Sequence, residues 1–339
     1  MRKLVDKIFK INFTELNSLN IPLDETVGLI IYKNDIKYEF IINLKEHSSN
    51  LIVIGSGALN NNSNHDRSRP WFNRWSWVDL FEESVIYYND PTLYLSSDFL
   101  CGWCVGTESD YYLEHIKDAI ITIADLNEIK HENILFYGSS AGGFTSILLA
   151  TLVKGSMAFA DIPQMDLRNY GDWNLRNFKK YSFAGKSEEY IFENYSHRLS
   201  VIEMIKKEKY IPNAFLTLDF TFDFDFENQY KLFFENLKEL QYEGLHKDNT
   251  IKLIIYGKNM GHVPIGQKYT FDIIKHIFVN QKSHLSGDSL YDFCFGSIDY
   301  INNVSNNLVY ELTEEISSLK SIINKQSAVI SKLSDQNKK

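Results

Sequence analysis

The sequence predicts an α/β fold built on a mostly parallel, doubly wound sheet, and three observations carry that prediction. LIVIG (51–55) and ILFYG (134–138) are short all-apolar runs, and IKLIIYG (251–257) is a mainly apolar one interrupted by Lys252, of the kind expected of buried strands. Segments with helical spacing alternate with such runs between residues 111 and 279. The small-residue turn GSSAGG (138–143) falls where one strand run gives way to one helical segment.

Taken in order, VGLIIYKNDIKYEFIINL (27–44) is two β-rich runs around Lys33-Asn34-Asp35, a hairpin signal, and would supply antiparallel edge strands. LIVIG follows, then SVIYYND (84–90), stopped by Asp90-Pro91. Residues 111–130 predict a helix, ILFYG a strand, and 143–154 a helix with Phe144, Ile147, Leu148 and Leu152 on one face. MAFADIP is the next strand. The polar, aromatic section 166–210 predicts one helix near 198–209. AFLTLDF (214–220) and IKLIIYG are the last strands, with helices over 227–240 and 267–279.

With 339 residues the chain can hold one large α/β domain or two small ones; 44% apolar residues suffice for a sizeable core. The formal charge, 35 − 44 = −9, argues against general attraction to nucleic acid or anionic lipid. No apolar run of about 7–15 residues follows the basic start MRKLV, and none approaches about 18 residues anywhere. The expectation is therefore a cytoplasmic protein without signal peptide or membrane span. Three cysteines fit a reducing compartment. Cys101 and Cys104 form a C-x-x-C with no second pair to complete a zinc site, so no metal is expected. In the tail, Val309, Leu312, Ile316, Leu319, Ile323, Ile330 and Leu333 recur at spacings of a coiled-coil seam, with Gln326 in the remaining core position. Residues 1–300 then form the globular domain, and 308–339 a helix suited to pairing in a homodimer or to packing back on that domain.

The chemistry centres on Gly138-Ser139-Ser140-Ala141-Gly142, which fits G-x-S-x-G with Ser140 at its middle. A serine hydroxyl is a poor nucleophile unless a base, an orienting acid and an oxyanion hole surround it. The motif has that meaning only between a strand and a helix, where a sharp turn lifts the side chain out of the sheet, and here it has that context. His262, in GHVP after the last strand run, is the candidate base. LDFTFDFDF offers Asp219, Asp223 and Asp225 as the acid; a position just past the strand favours Asp223, with Asp225 second. The amide of Ala141 and a second one from Ser56 or Gly57, in the loop after LIVIG, are candidates for the oxyanion hole. That loop is not a dinucleotide fingerprint, because Asn60 stands where the third glycine is needed, and GSSAGG lacks the lysine of a phosphate loop. RSRPWFNRWSW (67–77) interleaves arginines with tryptophans, a combination suited to a sugar bearing carboxylate or phosphate. Arg69, Trp71, Arg74 and Trp75 are its candidate substrate contacts; the same aromatics could equally pack over the sheet edge.

These residues resemble the α/β-hydrolase superfamily. RPWFNRWSW, NDPTLYL (89–95), GWCVGT (102–107), YGSSAGGF, DIPQMDL (161–167), TFDFDFENQYKLFF (221–234) and GHVPI resemble, more narrowly, the hydrolase-like proteins of bacterial capsule and surface-polysaccharide gene clusters. The resemblance spans about residues 50–265. It implies Ser140 as nucleophile, His262 as base and Asp223 as acid. It also implies O-acetylation, with acetyl-CoA as donor, no bound cofactor, and a glycan hydroxyl as acceptor. An esterase or glycan deacetylase would use the same triad. A non-catalytic scaffold in a polysaccharide-assembly or secretion complex is the contrasting expectation.

Overall fold

The computed structural model describes residues 5–59, 68–242, 250–256 and 261–281. The chain divides into two compact units, Met1–Ile274 and Lys275–Lys339. The segment 308–339 expected to pair as a helix lies outside the described residues.

Nine strands form one sheet among the described residues, in the order β1-β2-β3-β5-β4-β6-β7-β8-β9. β1 is Lys7–Asn12, β2 Thr26–Lys33 and β3 Ile36–Asn43. Next come β4 (Leu51–Gly55) and β5 (Ser84–Tyr88). Helix α1 (Tyr112–Leu126) leads to β6 (Ile134–Ser139), α2 (Ala141–Leu152) and β7 (Met157–Asp161). The section after β7 holds α3 (Asp172–Asn177), α4 (Glu188–Leu199) and α5 (Val201–Glu208). β8 (Asn213–Asp219) is followed by the helical turn α6 (Asp223–Asp225), which continues through a π turn into α7 (Lys231–Tyr242). β9 (Ile251–Tyr256) and α8 (Gln267–Gln281) complete the described elements.

The hairpin turn is sharp because Asn34 and Asp35 both take the left-handed conformation, φ 50° and 62°, matching the twist of β2 and β3. That hairpin is not the sheet edge, however. β1 pairs parallel to β2 outside it. KIFKIN escapes a periodicity reading because an edge strand keeps exposed lysines and buries little on either face. The middle section holds the helix expected near 198–209 as α5, and the second difference is that α3 and α4 precede it. Ser200, at φ −143° and ψ 130°, is extended and separates α4 from α5.

β4 to β9, leaving out β5's antiparallel partner β3, run parallel. β4, β5, β6 and β7 are buried at every residue, which explains their unbroken apolar sequences. α2 is buried from Ala141 to Thr151, lying against β4, β6 and β7. α1 shows an amphipathic pattern instead, burying Leu113, Ile116, Ile120 and Ile123. Parallel strands end on the same side of the sheet. Gly55, Ser139, Asp161, Asp219 and Tyr256 therefore gather at one edge, the crevice position at which α/β sheets bind ligands. No helix among the described residues is long and apolar enough to cross a membrane.

Candidate active site

Ser140 stands at the junction of β6 and α2 with φ 57° and ψ −119°, a region that L residues rarely occupy. Strain of this kind costs about 1–3 kcal/mol and persists only where the surroundings enforce it. Two close approaches do so here. A Cβ on Gly138 would run into the backbone of Gly142, and a Cβ on Gly142 would collide with the Gly55 carbonyl and come within 3.3 Å of the Ser56 carbonyl carbon. The Ser140 amide is tied across to the Asp161 carbonyl at 2.9 Å. The turn is thus pinned between the β4 loop and the end of β7, with Ser140 Oγ at the first turn of α2, where orphan amides and the helix dipole favour negative charge.

His262 Nε2 lies 2.8 Å from Ser140 Oγ. Its other ring nitrogen, Nδ1, is hydrogen-bonded to Asp225, whose residue is 4% exposed. The acid beside the histidine is therefore Asp225, and the preference for Asp223 is corrected. Asp223 opens α6 and faces solvent. Two helical residues apart are about 200° apart around the axis, so only one of the pair can point at the imidazole. Asp219 is used locally: as the last residue of β8 it accepts from the Thr221 amide (3.0 Å) and hydroxyl (2.6 Å). A hydroxyl, an imidazole and a carboxylate joined in this order can pass a proton from oxygen to nitrogen while the acid holds the ring's tautomer.

Asp161 holds the base of the site together. It is fully buried, and its carboxylate accepts from the Thr217 hydroxyl (2.5 Å) and the Ile265 amide (3.1 Å), three residues beyond His262. Burial pushes its carboxyl up to about 6, against those hydrogen bonds and the nearby Arg74 and His262 charges. Sequence reasoning missed Asp161, and also Gln164, Trp103 and Tyr170. Gln164 Nε2 donates to Ser140 Oγ at 2.8 Å and stands 3.3 Å from His262 Nε2. Tyr170 sets its ring 6.2 Å from those of His262, Trp103 and Phe224, walling one side. Burial and the Asp225 charge raise its hydroxyl's pKa. The signal available for Asp161 and Gln164 was their place at and just past the carboxyl end of a buried parallel strand.

Ser56 and Gly57 lie beside the elbow; a Cβ on Gly57 would sit 3.4 Å from the Ser139 carbonyl. The Ser56 hydroxyl donates to the Trp71 carbonyl and accepts from the Asn73 amide, both at 3.0 Å, latching the arginine–tryptophan loop to the β4 loop. In that loop Arg69 and Trp75 are exposed, whereas Trp71 is half-buried. Arg74 turns inward over Trp77 (5.2 Å) and Tyr137 (5.5 Å). Cys101 and Cys104 are free and buried, and burial raises both thiols well above their ordinary range. Among the described residues no cluster of His, Cys, Asp or Glu could hold a metal ion.

The strand order, the crossover helices and the strained serine turn define an α/β-hydrolase fold. Among solved structures, the chain is similar to the capsule O-acetyltransferase of Neisseria meningitidis serogroup A, with TM-score 0.54, 17% identity, and 74% of this chain and 96% of that one covered. It is similar also to a histidine-to-alanine mutant of that enzyme in complex with CoA (TM-score 0.54, 16% identity, 72% and 94% covered). The acylaminoacyl peptidase of Pyrococcus horikoshii matches with TM-score 0.53 and 13% identity over 78% of this chain and 43% of its own. At such identities the likeness is one of fold. No protein-family model and no curated protein matches the sequence.

Proposed function

We propose that this protein is a serine acyltransferase that moves an acetyl group from acetyl-CoA to a hydroxyl of a bacterial surface glycan. The observation that carries the reading is the continuous hydrogen-bonded series from Ser140 Oγ through His262 to Asp225 on the strained turn. The fold shared with a capsule O-acetyltransferase, one form of which binds CoA, supports the choice of donor and acceptor.

In this reading Ser140 Oγ attacks the thioester carbonyl as its proton passes to His262 Nε2. Asp225 fixes the proton on Nδ1 and stabilises the imidazolium. The amides of Ala141 and of Ser56 or Gly57 receive the oxyanion. CoA leaves as the thiol, taking the proton from His262, and Ser140 carries the acetyl ester. A glycan hydroxyl then loses its proton to His262, attacks the ester carbonyl, and releases Ser140. Water in place of the glycan would make the same residues an esterase. Arg69 and Trp75 are the outward-facing side chains of the latched loop offered to the substrates.

Labelling of the purified protein with a fluorophosphonate probe tests the first step. Labelling of wild type, lost in Ser140→Ala and strongly reduced in His262→Ala, is the expected result; unlabelled, folded wild type would count against the acyl-enzyme. Acetyl-CoA turnover with and without polysaccharide then separates transfer from hydrolysis.

A further inference from the structure

Gln164 is 1% exposed, and the identity of its two terminal atoms is set by chemistry. Trp103 Nε1, which can only donate, lies 3.2 Å from Oε1. The amide nitrogen must therefore face the other way, toward Ser140 Oγ at 2.8 Å and His262 Nε2 at 3.3 Å. One N–H occupies a lone pair of Oγ. This leaves the Oγ–H directed at the imidazole, 2.8 Å away. Gln164 Nε2 also faces His262 Nε2, and the Tyr170 hydroxyl hydrogen-bonds the Gln164 side chain.

Once Ser140 is acylated, Oγ is an ester oxygen, and the atom that must stand within reach of His262 Nε2 is the attacking atom of the acceptor. Oγ, His262 Nε2 and Gln164 Nε2 stand 2.8, 2.8 and 3.3 Å from one another, so an atom capping the three can hydrogen-bond to all of them. A hydroxyl oxygen has two lone pairs and one proton. It can accept from Gln164 with one pair, attack the acyl carbon with the other, and give its proton to His262. An amine nitrogen has a single lone pair, which it needs for the attack, so it cannot accept from Gln164 and forgoes a hydrogen bond that a hydroxyl acceptor makes. Sites built around a substrate hydroxyl discriminate by this kind of difference.

We infer that Gln164 is a further catalytic residue, which orients the attacking oxygen and selects hydroxyl over amine acceptors at the acyl-enzyme. The inference rests on the reading of Ser140 as the acylated nucleophile and adds to it the residue that selects a hydroxyl as acceptor.

The test lets the acetyl-enzyme partition between paired nucleophiles, glycerol and 3-amino-1,2-propanediol, above neutral pH, with p-nitrophenyl acetate as donor. The ratio of O-acetyl to N-acetyl product is read by mass spectrometry, with enzyme-free controls subtracted. Because both products arise from the same active molecules, the ratio does not depend on what fraction of a variant folds. Wild type is expected to acetylate oxygen predominantly. Gln164→Leu, which removes the donor, should lower the ratio by about tenfold or more. Gln164→Glu, which puts an acceptor there, should lower it further and move the acidic limb of the pH–rate profile upward, since a carboxylate beside His262 favours its protonated form. An unchanged ratio in both variants, with an acetyl-enzyme still seen by intact mass, overturns this inference alone. Absence of any acetyl-enzyme in wild type overturns the reading of Ser140 and this inference with it.

Discussion

Asp225 and His262 form a hydrogen-bonded pair across the mouth of the sheet, while Asp223, two residues earlier, faces solvent. The pair joins α6 to the loop after β9, so each element holds the other's functional group in place. Asp225→Asn should leave the protein folded yet lower kcat on the order of 10³–10⁴-fold, because an amide can present its N–H to Nδ1 and stabilise the wrong tautomer. Asp223→Asn should change kcat by less than about twofold, as expected of a solvated surface group. Steady-state kinetics on both variants check this; equal losses would show that Asp225 is not the carboxylate on which His262 depends.

The strained backbone at Ser140 predicts an order of stabilities rather than of activities. Ser140→Ala and Ser140→Gly both remove the hydroxyl and its contacts with Gln164 and His262. Only glycine accepts φ 57° with ψ −119° without penalty. Ser140→Gly should therefore be more stable than Ser140→Ala by about 1 kcal/mol in denaturant unfolding, with both inactive. Equal midpoints would mean that the turn is not strained in solution.

What the sequence made legible follows from how each signal arises. LIVIG, SVIYY, ILFYG and MAFAD announce themselves because strands buried on both faces must be apolar throughout. The serine turn was readable because its glycines answer to backbone collisions that no other residue survives. β1 was not, since KIFKIN pairs at an edge and its parallel partner β2 is set by topology rather than by local pattern. The choice between Asp223 and Asp225 depends on where α6 begins, and neither propensity nor spacing sets that to within one residue. Gln164 carries no ionisable group, and only its position against Trp103 and Ser140 gives it chemistry.

Ser56 offers a way to separate loop positioning from oxyanion binding. Its hydroxyl bridges Trp71 and Asn73, whereas its amide belongs to the backbone and survives substitution. Ser56→Ala should loosen the arginine–tryptophan loop and raise KM several-fold, with kcat nearly unchanged, if that loop contacts substrate. A fall in kcat at constant KM would instead place the Ser56 hydroxyl's contribution in the transition state.

Asp161 predicts opposite effects on stability and activity. Its carboxyl is raised from an ordinary 3.8 to about 6, chiefly by burial. The folded protein therefore holds this proton more tightly than the unfolded chain does. As pH rises from about 4 to about 6 the unfolded chain ionises first, and stability falls through that window by up to about 3 kcal/mol before levelling off. Asp161→Asn removes the titration, so the difference in stability between variant and wild type should grow in the variant's favour from pH 4 to pH 6 and be constant above. The same change replaces one carboxylate oxygen with an amide N–H. The Ile265 amide has both oxygens within reach, at 3.3 and 3.1 Å, and the Thr217 hydroxyl also donates to one of them. A slackened Ile265 loosens the loop that carries His262, so kcat should fall even at pH 8, where the variant gains most in relative stability. Chemical denaturation across pH, run beside kinetics on the same preparations, checks both signs; parallel stability profiles for the two proteins would show that folding does not shift the Asp161 carboxyl.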